Sequence, residues 1–430
     1  MEAIKNEITI GPKPGPVVNT DDFKHQLNEQ QYEAVTTDGY ALVLAGAGTG
    51  KTRVLTYRVA HLINKGNDPR NILLLTFTKK AATEMLDRVA AITKDNSGRR
   101  VAGGTFHSFA NYILRANASI LGLQPNFSIL DNADSEDVID KVRSDLGYNK
   151  SKSLFPRKAR LFEIISSARN KTTTIETVVK NEYKGLVKLI PDIEKISAEY
   201  KKFKKENALF DYDDLIEFTV ESFRKNREFR KYIARKYKYV LVDEFQDTNA
   251  LQLDMVTWIA DEGHNNLMVV GDDMQSIYSF RGARYENIRQ FTEMFSDCQI
   301  IKLEQNYRSQ PDILDFTNET LKQAPATFRK QLWSDKPAAS KPIVSSFIDA
   351  EEEAEYVVDE ILKLRENEVT LDQIAVLVRA SWNSNYVQMD LEKRSIPYVV
   401  VGGVKFTERK HVKDIVAYLK ITHNPQDKVA

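Results

Sequence analysis

Short apolar runs punctuate the chain, each ending in small, hydroxylated or acidic residues. Tyr40-Ala41-Leu42-Val43-Leu44 leads into Ala45-Gly46, and Ile72-Leu73-Leu74-Leu75 into Thr76-Phe77-Thr78. Tyr239-Val240-Leu241-Val242 ends in Asp243-Glu244, and Leu267-Met268-Val269-Val270 in Gly271-Asp272. Runs of this length bounded by turn residues predict strands. The stretch 101–109 predicts a further strand followed by a turn. Between the runs the apolar positions take helical spacing: residues 27–35 behind a cap at Asp21 or Asp22, residues 53–60, and an amphipathic helix opened by Asp211. The basic stretch 224–238 predicts one more helix. From about Ala110 to Glu206 the text is helical and basic, which predicts an insertion between sheet strands. Strands alternating with helices imply an α/β fold around a parallel sheet.

Composition changes this picture little. A chain of 430 residues has room for about three domains. Lys plus Arg equals Asp plus Glu at 61 each, so no global field attracts a polyanion; any such partner must meet local basic surface. The single cysteine, Cys298, excludes an internal disulfide and a cysteine metal site, and fits a reducing cytoplasm. Residues 1–20 carry no signal pattern, and the Gly11-Pro12-Lys13-Pro14-Gly15-Pro16 core predicts a flexible leader. No run approaches the length of a membrane span, so no membrane partner is expected.

Chemistry enters at Ala45-Gly46-Ala47-Gly48-Thr49-Gly50-Lys51-Thr52-Arg53, between the first apolar run and a helical stretch. Strand, small-residue loop and helix form the setting of a phosphate-binding loop. Small residues let backbone N–H groups converge on a triphosphate, and the helix points its positive end at the same charge. Lys51 would reach the β- and γ-phosphates and the Thr52 hydroxyl would ligate Mg²⁺. Ala45 stands where this loop pattern has its first glycine. The partner of such a loop is an apolar strand ending in acids, and Asp243-Glu244 supplies it. Asp243 would hold Mg²⁺, mostly through its water shell, while Glu244 would orient and deprotonate the attacking water. Together the two motifs predict a nucleoside triphosphatase using ATP and Mg²⁺.

Other residues are candidates by placement. Gln31, one helix before the loop, has an amide able to read an adenine edge, although a Gln on a polar helix face is commonly only solvated. Phe77, with Lys79 beside it, stands where a sheet presents its ligand loops; it is either a stacking face for a single nucleic-acid strand or core. Gln275 can sense a γ-phosphate, and Tyr278, Phe280 and Arg281 in the same loop can stack on bases and hold phosphates. Tyr307 offers a ring to adenine, and Arg308 a charge to the transition state, worth about 10³–10⁵ in rate where such a residue acts. His107 is assigned no catalytic role. Tyr200-Lys201-Lys202-Phe203-Lys204-Lys205 reads as a solvated helix face or a phosphate contact. Asp211-Tyr212-Asp213-Asp214 resembles a metal cluster, but helix capping explains it more simply.

With these residues in view, the chain resembles the UvrD/Rep/PcrA branch of superfamily 1 DNA helicases. The matching segments are 27–35, 45–52, 76–85, 104–108, 242–248, 271–283 and 303–309, with Gly402-Gly403-Val404-Lys405-Phe406, Arg409, Lys413-Asp414 and Asn424-Pro425 beyond them. The resemblance implies two RecA-like lobes gripping ATP, each with a helical insertion, and 3′-to-5′ movement on single-stranded DNA. It carries Gln31 to adenine, Lys51 and Thr52 to phosphate and Mg²⁺, and Asp243 and Glu244 to metal and water. Gln275 and Arg308 go to the γ-phosphate, Tyr307 to base stacking, and Phe77, Tyr278, Phe280 and Arg281 to DNA. Phe280 stands where the family commonly has Trp, Lys79 where it has Asn, and His411 where it has Glu.

The architecture expected is therefore a RecA-like P-loop NTPase lobe over 21–110 and 207–298 after the 1–20 leader, a helical insertion over 111–206, and the first half of a second RecA-like lobe over 299–430. The family's later motifs, a threonine- and glycine-bearing DNA motif and an arginine-bearing ATP motif, have no counterpart before Ala430, so the resemblance implies a fragment or a shortened protein. The expected function is an ATP-dependent DNA helicase or translocase in DNA repair or replication, acting on single-stranded and 3′-tailed duplex DNA. The rivals are an ATP- and DNA-binding module without motor activity and the motor part of a helicase–nuclease.

Overall fold

The computed structural model describes residues 21–94, 97–148, 155–279, 282–322, 329–401, 412, 414 and 415. Eight strands occur among them: β1 (Tyr40–Ala45), β2 (Ile72–Thr76), β3 (Ala102–Thr105), β4 (Ser128–Ile129), β5 (Leu209–Phe210), β6 (Tyr239–Val242), β7 (Leu267–Gly271) and β8 (Gln299–Leu303). Six form one sheet in the order β3-β2-β6-β7-β1-β8, and every pairing is parallel. Parallel strands need crossovers, which cover both faces with helices, so the strands are apolar at consecutive positions rather than alternate ones. Leu42, Leu44, Leu73, Leu75, Val240, Val242, Leu267 and Val269 pack into a core on one face. Their neighbours Ala41, Val43, Ile72, Leu74, Leu241, Met268 and Val270 fill a second core on the other. All carboxyl ends of the strands fall on one edge, where a doubly wound sheet holds its ligands.

Several expected boundaries move. The strand Gln299–Leu303, expected to begin a second lobe, pairs in parallel with β1 as the sixth strand of the sheet, and the first compact unit runs to Lys341. The expected limit at Ala110 cuts the helix Phe106–Ala116, whose Ile113 and Leu114 lie in the first core. That helix replaces the expected turn, because Thr105 caps it by accepting a hydrogen bond from the Ser108 N–H. The helix expected over 224–238 is two elements: Asn226 leaves helical backbone at φ −124° and caps Arg227–Lys236.

The helical insertion has a core of its own. Helices Asn132–Asp145, Lys158–Asn170, Ile175–Glu182 and Ile190–Glu206 bury Ile139, Leu161, Ile164, Val179, Ile193 and Ile196 together. β4 and β5 form a two-stranded parallel pair that closes the insertion at its base. The second unit begins at Pro342. Within it the helices Ala350–Glu366 and Asn385–Lys393 pack through Ala354, Val358, Ile361, Val387 and Leu391. Among the described residues no helix is long and apolar enough to cross a membrane.

Candidate active site at the carboxyl edge of the sheet

β1 delivers the loop 46–50 to this edge, and the helix Lys51–Asn64 leaves from it. Gly48 and Gly50 take φ of +80° and +94°, which side chains beyond glycine rarely adopt. A Cβ on Gly48 would also lie 2.8 Å from the Arg308 Cβ, and one on Gly50 2.7 Å from Gln31 Nε2. Within the loop, the Thr49 hydroxyl donates to the Gly46 carbonyl at 2.8 Å.

Gln31 is buried and bonded through both its amide nitrogen and its amide oxygen. Its Nε2 donates to the Thr49 carbonyl at 3.0 Å, and its Oε1 accepts from the Asn28 N–H at 3.3 Å. In this arrangement the side chain braces the loop. Arg53 turns away from the loop, donating to the Gln26 carbonyl at 2.6 Å with its guanidinium over the Tyr57 ring.

The segment after β8 lies against the loop's other side. Asn306 Nδ2 donates to the Ala47 carbonyl at 2.5 Å and the Tyr307 N–H to the Gly48 carbonyl at 2.9 Å. Asn306 Oδ1 accepts from the N–H groups of Arg308 and Ser309, so one buried side-chain amide shapes the turn that presents Tyr307 and Arg308. The Tyr307 hydroxyl accepts from Asn28 Nδ2 at 2.9 Å, bringing its exposed ring beside the helix that carries Gln31.

Opposite the loop, β6 ends in Asp243 and Glu244. Lys51 Nζ and Glu244 Oε2 form an ion pair at 2.8 Å. Glu244 sits at φ 49°, ψ 46°, a left-handed backbone that costs a non-glycine residue about 1–3 kcal/mol. Asp243 is 5% exposed and its Oδ1 has no partner among the described residues. Burial, then the Glu244 charge, pushes its carboxyl up to about 7. The same two causes push Asp247 up to about 6, and its Oδ1 is also buried and unpartnered. Unsatisfied buried carboxylate oxygens beside a lysine suit a divalent cation, which would supply the missing charge. Among the described residues no three His, Cys, Asp or Glu side chains group to hold a metal by themselves. A cation at Asp243 and Thr52 would therefore complete its shell with phosphate and water oxygens.

A hydrogen-bonded line continues from Glu244. Gln246 Nε2 donates to Glu244 Oε2 at 2.9 Å, and its Oε1 accepts from the Asp272 N–H at 2.9 Å. Asp272 Oδ2 in turn accepts from Gln275 Nε2 at 2.6 Å. The structure thus joins Lys51, Glu244 and Gln275 through Gln246 and Asp272. Sequence reasoning passed over Gln246, Asp272, Asn28 and Asn306, although all four stand in or beside the segments that carry the resemblance. Burial of a polar side chain marks Gln246, Asp272 and Asn306, and burial is not visible in the text; Asn28 is half-buried and is marked by its bonds to Gln31 and Tyr307.

On the same edge the rings of Phe77 and Tyr278 stack with centroids 5.5 Å apart and planes at 23°. Phe77 is half-buried rather than core, and Lys79 beside it is exposed at the start of the helix Lys79–Thr93, which Thr78 caps. Phe280, Arg281, His411 and the segment 402–406 lie outside the described residues, as do the leader, Arg409, Lys413, Asn424 and Pro425. His107 packs edge-on against Tyr212.

The UvrD/REP helicase N-terminal domain matches residues 27–296, and the UvrD-like helicase C-terminal domain matches 301–430. The ATP-dependent DNA helicase PcrA of Staphylococcus epidermidis is 38% identical over 411 residues, covering 94% of this chain and 55% of that protein. The Staphylococcus aureus protein of the same name is 37% identical over 408 residues, with the same coverage. The chain thus spans about 55% of the length of these curated relatives.

Proposed function

The chain belongs to the UvrD/REP helicase family, and from that premise we propose that it binds and hydrolyses ATP at the loop 46–52 to drive 3′-to-5′ movement along single-stranded DNA, opening 3′-tailed duplexes in repair or replication. The observation that carries the hydrolytic part is the Lys51–Glu244 pair at 2.8 Å beside a buried, unpartnered Asp243 oxygen. Lys51 is held by a carboxylate until phosphate competes for it. Its departure frees Glu244 to take a proton from water. Asp243 and Thr52 would hold the cation, and Mg²⁺ bound there would neutralise charge on the phosphates. Gln275, tied to Glu244 through Asp272 and Gln246, and Arg308, whose Cβ neighbours Gly48, report on the γ-phosphate. Tyr307 supplies the ring for the base, while Gln31 fixes the loop that receives the phosphates. The stacked Phe77 and Tyr278, with exposed Lys79, supply a base platform and a phosphate contact on the same edge. A relay joining hydrolytic residues to the loop that carries Tyr278 supports coupling of hydrolysis to movement.

The test separates binding from chemistry. Glu244→Gln should bind a fluorescent ATP analogue within about twofold of the parent while phosphate release on single-stranded DNA falls about 10²–10⁴-fold. Lys51→Ala should lose both. A Glu244→Gln chain that hydrolyses ATP at the parent rate sinks the assignment of the base.

A further inference from the structure

Lys330 is buried in the cleft beside the phosphate loop, and no motif contains it. Its side chain is 5% exposed, and its Nζ pairs with Asp272 Oδ1 at 2.5 Å and Asp273 Oδ1 at 2.9 Å. Both acids stand in the loop after β7, where Asp272 gives its other oxygen to Gln275 Nε2. The carboxylate is thus divided: one oxygen orients the glutamine, the other is neutralised by the lysine. Gly46, Asp272, Lys330 and Leu332 line one cleft, so this cluster faces the space next to the phosphate loop.

The strand of chain bearing Lys330 is pinned along its length. The Arg329 carbonyl accepts from Lys302 Nζ at 2.9 Å, and the Gln331 N–H donates to Glu304 Oε1 at 2.7 Å. The Leu332 N–H and carbonyl both bond the Asn318 amide. The Trp333 N–H donates to the Glu304 carbonyl, and its own carbonyl accepts from the Asn306 N–H at 2.7 Å. This segment is therefore fixed to the turn that presents Tyr307 and Arg308. Leu332 lies so close over Gly46 that a Cβ there would meet it at 2.7 Å.

We infer that Lys330 is a positioning residue for the γ-phosphate: it cancels charge on Asp272 and Asp273, and so holds Gln275 where a triphosphate is told from a diphosphate. This rests on the reading of the loop as a nucleotide site. Without Lys330, two carboxylates stand uncompensated in a cleft that must admit a polyanion. The penalty grows with each phosphate that reaches past Lys51, because like charges in a partly buried site repel strongly. Asp272 keeps the Met274 N–H on Oδ1 at 3.2 Å and Gln275 on Oδ2 but loses its ion-pair partner, so the acceptor of Gln275 is less firmly fixed. The triphosphate should suffer and the diphosphate should not.

The experiment titrates fluorescent ATP and ADP analogues, with Mg²⁺, against the chain and its Lys330→Met variant, alongside nucleotide-free thermal melts. Lys330→Met should weaken ATP binding about tenfold or more while ADP stays within about twofold. Lys330→Arg, which keeps the charge, should keep the parent's ATP-to-ADP ratio within about threefold. Should Lys330→Met fail to fold, the double variant Lys330→Met with Asp272→Asn leaves Asp273 as the one uncompensated acid and takes the carboxylate acceptor from Gln275, so it should show a smaller loss in the same direction, confined to ATP. Equal losses for both nucleotides, or an unchanged ratio in a folded variant, overturn the inference and leave the nucleotide site standing. A parent chain that binds neither nucleotide overturns the nucleotide reading and this inference with it.

Discussion

Two acidic clusters in this chain look alike on paper and differ in every bond. Asp211-Tyr212-Asp213-Asp214 opens a helix; Asp243-Glu244-Phe245-Gln246-Asp247 ends a strand. At the first, every acid is answered. Arg169 bonds Asp211, Asp214 and Glu217; Lys204, 3% exposed, pairs with Asp211 and with Asp214 at 2.5 Å; Tyr200 donates to Asp211. Asp213 accepts from Ser166 and Asn170. Although burial opposes it, the Arg169 and Lys204 charges hold the Asp211 carboxyl below its usual range. At the second cluster Lys51 is the cation in contact, and two buried carboxylate oxygens have no partner among the described residues. Burial there wins, and Asp243 rises to about 7; in the first cluster burial also raises Asp213, which the neutral Ser166 and Asn170 answer, while Asp211 is held low by charge. The first cluster is finished by the chain itself, tying the insertion to the lobe. The second keeps two buried carboxylate oxygens unpartnered among the described residues, at the place proposed for the cation.

The largest effect that tests this contrast is on the finished cluster. Lys204→Met would leave Arg169 as the cation still paired with the buried Asp211 and with Asp214. Removing one member of a buried ion network costs about 3–5 kcal/mol. Denaturant unfolding should show that loss, while nucleotide affinity of the folded fraction stays at the parent value. A Lys204→Met chain of parent stability would mean that the network is not what holds the insertion in place.

The unfinished cluster should respond in the opposite direction. Asp243 keeps its proton up to about pH 7 in the folded chain, against 3.8 when unfolded. The folded state therefore binds more protons between those values, and stability falls as pH rises through that window. Asp243→Asn removes the cost. It should be more stable than the parent at about pH 8 by up to about 4 kcal/mol, a gain that shrinks as pH falls and vanishes below about pH 4. Mg²⁺-dependent nucleotide binding should be lost in the same variant. Loss of stability at about pH 8 would show that the Asp243 carboxylate is satisfied in a way the contrast denies.

How much of this could be read from the sequence follows from the same physics. The strands that sit centrally, β1, β2, β6 and β7, were legible because burial on both faces demands consecutive apolar residues. β8 was assigned to a second lobe because a strand's partner is set by long-range pairing that local pattern does not carry; its own burial is uneven, with Gln299, Ile300 and Lys302 exposed. The strand–loop–helix setting of residues 40–64 was legible because small residues and a helical pattern follow an apolar run at fixed spacing. Gln31 was visible as a residue, but not that the Thr49 carbonyl and Asn28 N–H already occupy its amide. Lys330 was invisible, since its meaning lies in acids 57 and 58 residues away.

The smallest effect sharpens the contrast, because an unpartnered buried atom is not by itself a site. His61 is buried and its Nε2 has no partner among the described residues, yet it lies in the last turn of the helix Lys51–Asn64. Ten residues of helix carry it about 15 Å from the phosphate loop. Burial, with Lys65 and Arg58 beside it, lowers its pKa to about 4. The unfolded chain takes up a proton near 6.5 while the folded chain does not, so stability is whole above that value and is lost as pH falls from 6.5 toward 4. His61→Leu removes that loss without touching the loop. The stability of the variant relative to the parent should be higher at about pH 5.5 than at about pH 8 by about 1 kcal/mol. ATP binding should be unchanged at both. If His61→Leu instead abolishes nucleotide binding while its melting curve matches the parent's, an unfinished bond away from the sheet's carboxyl edge also serves function, and position would no longer separate the two kinds.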